Sequence, residues 1–223
     1  MHVSYAAATT ISTVDIQHLY AYRYAVFVER LKWQLPGARN GLEIDQFDRS
    51  DTIHVIARHE DGQICGCARL LPTTRPYLLS EVFPQLMGGE LPPESEDVWE
   101  LSRFSSTDLS AHLSSPVWVC REVMAATIAC AHAAGVRQLI AVTSRGVERI
   151  LSRLGIHWYP VGPAQRIAGQ SIFAFRVDID GITLDALGLN NCPSRSLAEN
   201  TVINTSEITD IGFIQSNRDL VTC

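Results

Sequence analysis

Two short segments, Glu43-Ile44-Asp45-Gln46-Phe47-Asp48 and Trp99-Glu100-Leu101-Ser102-Arg103-Phe104, constrain this chain more than any other feature. Each sets ionisable side chains one or two residues from large apolar ones, so a fold that buries the apolar residues takes charges in with them. A charge removed from water costs free energy unless it is paired or put to use. The two segments therefore predict a polar site inside a small α/β domain. Partners are at hand: of the 18 basic residues only Lys32 is a lysine, and the arginine fork suits partly buried pairing with carboxylates.

At 223 residues the chain is long enough for one sizeable core. A body over residues 1–180 followed by an acidic, polar extension over 181–223 is the expected organisation. The net charge of −6 sits largely in that extension: residues 178–223 hold seven acids and two arginines, against seventeen acids and sixteen bases before them. A nearly neutral body, with no aromatics interleaved among its arginines, argues against a nucleic-acid partner. The most apolar stretch, Val123 to Val136, is interrupted by His132 and falls well short of the ~20 residues of a membrane span. With no signal peptide at Met1-His2-Val3-Ser4-Tyr5, the expected location is the cytoplasm. Cys65, Cys67, Cys120, Cys130, Cys192 and Cys223 form no CxxC pair. Cys65 and Cys67 are expected on one strand face with His54 on the neighbouring strand. Without metal spacing they read as buried thiols, and no metal is expected.

Ser12 to Leu31 predicts a helix, with Ser12 as N-cap ahead of Asp15 and Ile16, Leu19, Phe27 and Leu31 at helical spacing. A long loop from Lys32 to Asp51 carries Trp33 and the acidic cluster. Thr52–His59 and Gln63–Leu71 form a hairpin about Asp61-Gly62. A short helix over Ser80–Met87 and a strand over Val98–Phe104 follow. Ser115-Pro116 opens a helix to Ala134 that is apolar nearly all round, and Gly135 ends it. The apolar run Leu139-Ile140-Ala141-Val142 belongs in a sheet covered on both faces. A helix from Ser144 to Leu154 and strands at Ile156–Val161 and Ser171–Val177 complete a mixed sheet flanked by helices.

If the alternation is regular, Val98, Glu100, Ser102 and Phe104 share one strand face, and Arg103 takes the other unless a bulge intervenes. A carboxylate between Val and Phe is partly desolvated, which raises its pKa and makes it a better proton acceptor. The alternative is an edge-strand charge facing water. Asp45 and Asp48 can converge on a cationic ligand, on Arg23 and Arg69, or simply on solvent. Arg145, Arg149 and Arg153 recur every four residues. That stripe is either a solvated helix face or a docking patch for an acidic protein.

Taken together, Arg23-x-x-x-Phe27, Trp33, Glu43 to Asp48, Arg69, Phe83 and Glu100-Leu101-Ser102-Arg103-Phe104 occur in an order and spacing that resembles the LuxI-type acyl-homoserine-lactone synthases. The resemblance spans residues 20–177. It implies an α/β, GNAT-like three-layer sandwich with a splayed mixed central sheet. It also implies two substrates, S-adenosylmethionine and a fatty acyl chain on acyl carrier protein, with no cofactor, metal or membrane involved. Glu100, Ser102 and Arg103 take the catalytic positions. Arg23, Phe27, Trp33, Asp45, Asp48, Arg69, Phe83, Arg103 and Phe104 take those around S-adenosylmethionine, some of them as ion pairs rather than direct contacts. Trp118, Met124 and Thr143 are expected to line the acyl pocket, and bulky Trp118 suggests a medium chain of about six to ten carbons. Arg145, Arg149 and Arg153 become the carrier-protein dock.

Two rivals stand beside this reading. A GNAT-type N-acyltransferase using acyl-CoA would cradle pyrophosphate in a Gly-rich turn opening a helix, but Ser105 to Pro116 contains no glycine. A non-catalytic acyl- or signal-binding protein would keep the apolar cleft and tolerate Glu100→Gln.

Overall fold

The computed structural model of the chain describes residues 1–109, 117–144 and 147–190, together with the backbone of 201–204. Arg145, Ser115-Pro116, Cys192 and Cys223 lie outside the described residues. Strand β1 (His2–Ala7) leads into α1 (Thr13–Arg23), whose N-cap Ser12 Oγ accepts from the Asp15 N–H at 3.0 Å. The helix does not stop at Arg23. It widens into a π-helical turn over Tyr24–Arg30 and ends with Leu31 N donating to Val26 O and Trp33 N to Phe27 O, both at 2.9 Å. π turns of this kind re-aim side chains and recur at functional sites.

The loop beyond holds a miniature hairpin, β2 (Ala38–Arg39) and β3 (Leu42–Glu43), turned by Asn40 and Gly41 at φ of 54° and 74°. The expected hairpin is β4 (Ile53–Arg58) and β5 (Ile64–Pro72), with Gly62 at φ 86° in its turn. A five-residue α2 (Leu78–Val82) and a 3₁₀ turn (Pro84–Met87) precede β6 (Val98–Ser105). Next come α3 (Val117–Ala133), β7 (Gln138–Ser144) and α4 (Val147–Arg153). The described chain closes with β8 (Trp158–Pro160), β9 (Gln165–Ile167), β10 (Gln170–Asp178), α5 (Gly181–Leu187) and β11 (Thr201–Asn204).

The sheet runs β11-β1-β4-β5-β6-β7-β10-β8, with β9 paired to β10. Among the described residues β6 and β7 are its parallel pair, and their pairing stops at Leu101↔Ala141. Both strands continue past that point, β6 to Ser105 and β7 to Ser144, so the sheet splays there. One face packs on α3 through Val55, Leu70, Leu101, Leu139, Phe175, Val123 and Ile128. The other face carries two smaller cores. One is built from Leu19, Tyr22, Val26, Phe27, Ile56 and Cys67, and the other from Phe47, Leu71, Leu79, Met87 and Ile140.

β1 and α5 were not expected from the sequence. Asp180 caps α5 by accepting from the Thr183 N–H, and Leu187 and Leu189 are buried in the α3-side core. The packed body therefore continues past residue 180. Cys65 and Cys67 do not share a face as the alternation suggested. The β4–β5 register shifts between Ala57 and Arg58, so Cys65 packs in the α3-side core and Cys67 in the α1-side core. Gly66 lies between them. A Cβ there would stand 2.7 Å from Val123 Cγ2 and 3.1 Å from Ser105 O. Gly66→Ala is expected to lower stability by about 1–3 kcal/mol, measurable as a fall in the urea midpoint with unchanged slope; an unchanged midpoint would mean that α3 does not sit this close to the sheet.

Candidate active site

On β5, Cys67 belongs to one small core and Leu71 to the other, and Arg69 stands between them with none of its side chain exposed. A charge in that gap requires partners, and the two segments that opened the sequence analysis supply them. Arg69 donates through Nη1 and Nη2 to Asp45 at 2.6 and 3.0 Å, and through Nη1 to Asp48 at 3.2 Å. Arg23, delivered by the last turn of α1, donates to both oxygens of Asp48 at 2.7 and 2.9 Å and through Nε to Glu43 at 2.6 Å. Arg103, from β6, donates to Glu43 at 3.0 and 2.8 Å and to Asp45 at 2.8 Å. The sequence Arg23–Asp48–Arg69–Asp45–Arg103–Glu43 thus closes on itself as a ring of three cations and three anions. Arg23, Glu43, Arg69 and Asp48 are fully or almost fully buried, while Asp45 keeps 11% of its side chain exposed.

Glu43 was part of the sequence motif but was not expected as a site residue. Its signal was present, because it stands two residues before Asp45 in the same acidic cluster. Tyr20 and His54 were also not expected. The Arg23 guanidinium lies 5.3 Å from the Tyr20 ring centroid, and Tyr20 meets His54 edge-on at 6.3 Å. Buried His54 is pushed down to about 3 by desolvation, and its Nε2 has no hydrogen-bond partner.

Burial opposes ionisation of Asp48, yet Arg23 and Arg69 overcome it and hold the carboxyl well below the usual carboxylate range. Asp45 is lowered in the same way by Arg69 and Arg103 against burial. Both carboxylates therefore contribute stability that is fully present above the unfolded carboxylate pKa. That stability is lost as the pH falls below about 4 toward their depressed folded values.

Arg103 reaches the ring because β6 bulges. Arg69 pairs with Ser102 but Cys67 pairs with Ser105, so β6 carries one extra residue there, and Arg103 takes φ 51°. The expected grouping of Glu100, Ser102 and Phe104 on one face is corrected accordingly. Arg103 turns in beside Ser102, whose Oγ accepts from Arg69 Nε at 3.0 Å, and Phe104 packs against the α3-side core. The left-handed backbone costs about 1–3 kcal/mol in a residue with a Cβ.

Glu100 is neither on an edge nor facing water. It is 1% exposed, and its two oxygens accept from the Leu78 and Leu79 N–H groups at 2.9 and 2.7 Å, where α2 begins. Burial pushes its pKa up to about 7, against the opposing effect of those two donors. Trp33 stacks on buried Phe27 with ring centroids 5.0 Å apart, and Arg103 covers Phe27 at 5.8 Å. Phe83, half-buried, packs beside the Leu71–Met87 core.

The other expected residues are more dispersed. Met124 is buried in α3. Thr143 lies past the last β6–β7 pair and is paired with Phe173, so it faces the α3 side at the splay. The Trp118 indole is half exposed, at 49%. Arg149 and Arg153 are exposed on α4, and Arg145 lies outside the described residues. Among the described residues no cluster of three or more His, Cys, Asp or Glu side chains could hold a metal ion, and no helix is long and apolar enough to cross a membrane.

A family model described as autoinducer synthase matches residues 7–187. An acyl-homoserine-lactone synthase of Ralstonia nicotianae is 47% identical over 171 residues, which is 75% of this chain and 84% of its own length. The crystal structure of TofI in a ternary complex with an inhibitor and MTA superposes with a TM-score of 0.77 at 45% identity, covering 85% of this chain and 98% of TofI. BjaI, a CoA-dependent acyl-homoserine lactone synthase solved with SAM and isopentyl-CoA, gives 0.75 at 25% identity over 84% of this chain and 88% of its own. An acyl-CoA N-acyltransferase from Pseudomonas aeruginosa, at 15% identity and a TM-score of 0.54 over 78% of this chain and 97% of its own, shares the fold alone.

The splayed mixed sheet is thus a GNAT-like fold, and the chain belongs to the autoinducer synthase family, the acyl-homoserine-lactone synthases. It is an acyltransferase.

Removing one member of the ring leaves its partners charged and buried. Asp48→Asn is expected to cost about 3–5 kcal/mol and to flatten the acid limb of the stability curve below about pH 4. Urea titrations between pH 3 and pH 7 measure both effects. A cost below about 1 kcal/mol would place Asp48 among ordinary surface ion pairs.

Proposed function

We propose that this enzyme transfers a medium-chain fatty acyl group from acyl carrier protein to the amine of S-adenosylmethionine and then closes the lactone with release of methylthioadenosine, acting in the cytoplasm as the source of a quorum-sensing signal. The observation that carries this reading is the bulge at Arg103. It holds a guanidinium and Ser102 at the point where β6 parts from β7, beside the Phe27–Trp33 stack. TofI is described with MTA and BjaI with SAM, which supports S-adenosylmethionine as the substrate.

In the first step the ammonium of S-adenosylmethionine loses a proton and the amine attacks the thioester carbonyl. The N–C bond forms, the C–S bond breaks, and the carrier thiol leaves. Glu100, with a pKa near the operating pH, is the proton acceptor, directly or through one water. Negative charge on the thioester oxygen is met by backbone N–H groups at the splayed strands. In the second step the methionyl carboxylate attacks its own γ-carbon. The C–O bond forms as the C–S⁺ bond breaks, so the sulfonium leaves as the neutral thioether. Both steps are redox-neutral, and S-adenosylmethionine is consumed as a substrate.

Trp33 and Phe83 offer aromatic faces to the adenine and the sulfonium. Arg23, Asp45, Asp48 and Arg69 hold Arg103 in place and keep the loop carrying Trp33 over the substrate. Met124 and Thr143 bound the acyl chain at the splay, with Trp118 at its outer end; Phe104, expected beside S-adenosylmethionine, packs on the α3 side and is reassigned to that wall. The exposed Arg149 and Arg153 of α4 form the dock for the acidic carrier, and Arg145, outside the described residues, precedes them in the sequence. The absence of glycine from Ser105 to Pro116 favours the carrier protein over CoA, whereas the CoA dependence of BjaI favours the alternative donor.

Mass spectrometry of the purified protein with S-adenosylmethionine and acyl thioesters of about six to ten carbons, on carrier protein or on CoA, tests the proposal. Lactone formed with higher kcat/KM from the carrier thioester is expected, and Arg149→Glu/Arg153→Glu should raise the KM for that donor alone. Lactone formed preferentially from acyl-CoA would overturn the donor assignment, and no lactone from either would overturn the reaction. Glu100→Gln is expected to lower kcat by about 10²–10⁴-fold and to abolish a rise in kcat through about pH 7; a variant retaining that pH profile would remove Glu100 from the role of base.

A further inference from the structure

Arg103 performs its role only in the bulged, left-handed conformation, and something must hold it there. In a bulge the extra residue loses its place in the ladder and the strand bends. Here β5 is shaped to that irregularity residue by residue. Gly66 leaves room for the Ser105 carbonyl, 3.1 Å from where a Cβ would stand, and Arg69 ties down Ser102 through its Oγ. Between them the Cys67 thiol donates to the backbone carbonyl of Arg103 itself, with Sγ 3.2 Å from the oxygen. Cys67 is 1% exposed and packed among Leu19, Tyr22, Val26 and Phe27, so its donor is held in one direction. Burial also pushes the thiol up to about 12, which keeps the proton on sulfur.

We propose that Cys67 is a positioning residue for S-adenosylmethionine. Its thiol hydrogen bond to the Arg103 carbonyl fixes the bulge and so aims the Arg103 guanidinium. The inference rests on the reading that Arg103 faces that substrate. Cys67→Ala and Cys67→Val remove the donor, whereas Cys67→Ser keeps an O–H on the same bond vector. A single buried hydrogen bond of this kind corresponds to about a three- to tenfold change.

Steady-state lactone synthesis by the full chain, with S-adenosylmethionine varied at saturating acyl donor, is the test. Cys67→Ala and Cys67→Val are both expected to raise the KM for S-adenosylmethionine by about three- to tenfold, with the KM for the acyl donor unchanged. Cys67→Ser should return to within about twofold of the parent. The Val variant fills the space of the thiol, with one methyl group to spare, if the Ala variant folds poorly. Adding Cys67→Ala to Arg103→Lys should raise the KM no further, because the thiol acts through Arg103. Equal behaviour of the Ser and Ala variants, or an additive effect in the Arg103→Lys background, would overturn the inference and leave the substrate reading standing. An Arg103→Lys variant with unchanged KM for S-adenosylmethionine would instead bring down the substrate reading, and this inference with it.

Discussion

The closed ring of Arg23, Asp48, Arg69, Asp45, Arg103 and Glu43 is the interaction on which the rest of the structure depends. Six charges brought out of water at one place are tolerable only together, since each guanidinium is flanked by two carboxylates and each carboxylate by two guanidinia. The ring therefore adds a charged tie to elements that also pack or pair with one another. The end of α1, the loop from Lys32 to Asp51, the middle of β5 and the end of β6 are tied at one point. It also occupies the gap between the two small cores on this face of the sheet. Apolar packing could have filled that gap with more stability, but it could not have set a guanidinium at a defined angle beside an opening in the sheet.

That opening and the ring share a single cause in the backbone. β6 leaves its parallel partner after Leu101, bulges at Arg103 and ends at Ser105. The splay separates β6 from β7 at Thr143, and the bulge sends Arg103 to the ring side and Phe104 to the α3 side. Polar and apolar walls thus arise from adjacent residues of one strand. The strain at Arg103 is offset by the ion pairs it makes, and its direction is set by β5. Glu100, two residues upstream of Ser102, holds the start of α2 by accepting from two backbone N–H groups, while burial pushes its pKa up to about 7. Burial thus disfavours its charged form as the pH rises through about 7, which suits the proposed role of proton acceptor.

Much of this was legible before any coordinates. Ser12 and the apolar spacing marked α1, Asp61-Gly62 marked the hairpin, and the unbroken run Leu139–Val142 marked a strand covered on both faces. The sequence leaves Asp45 and Asp48 open between a cationic ligand, Arg23 and Arg69, and solvent, and the structure pairs them with the two arginines. What escaped were features that depend on backbone irregularity. A π turn uses the same residues as an α turn, so the re-aiming of Phe27 and Trp33 leaves no mark on spacing. Strict alternation put Phe104 with Glu100 and Arg103 opposite, and one inserted residue reversed both. A register shift likewise separated Cys65 from Cys67. β1 and α5 were missed for another reason: their few apolar side chains, such as Val3, Tyr5 and Leu187, are buried by partners distant in sequence. Glu43, quoted in the motif but given no role there, gains Arg103 as a partner only when the bulge turns that side chain toward it.

In the proposed reaction a preformed, closed ring aims Arg103 at S-adenosylmethionine beside the aromatic stack. Crystal structures of this protein alone and with methylthioadenosine bound test it most directly. The nucleoside is expected between Trp33 and Phe83 next to Arg103, with all six ring groups paired as they are without it. A nucleoside bound elsewhere, or a ring that opens to admit it, would show that the ring does not aim Arg103 at the substrate.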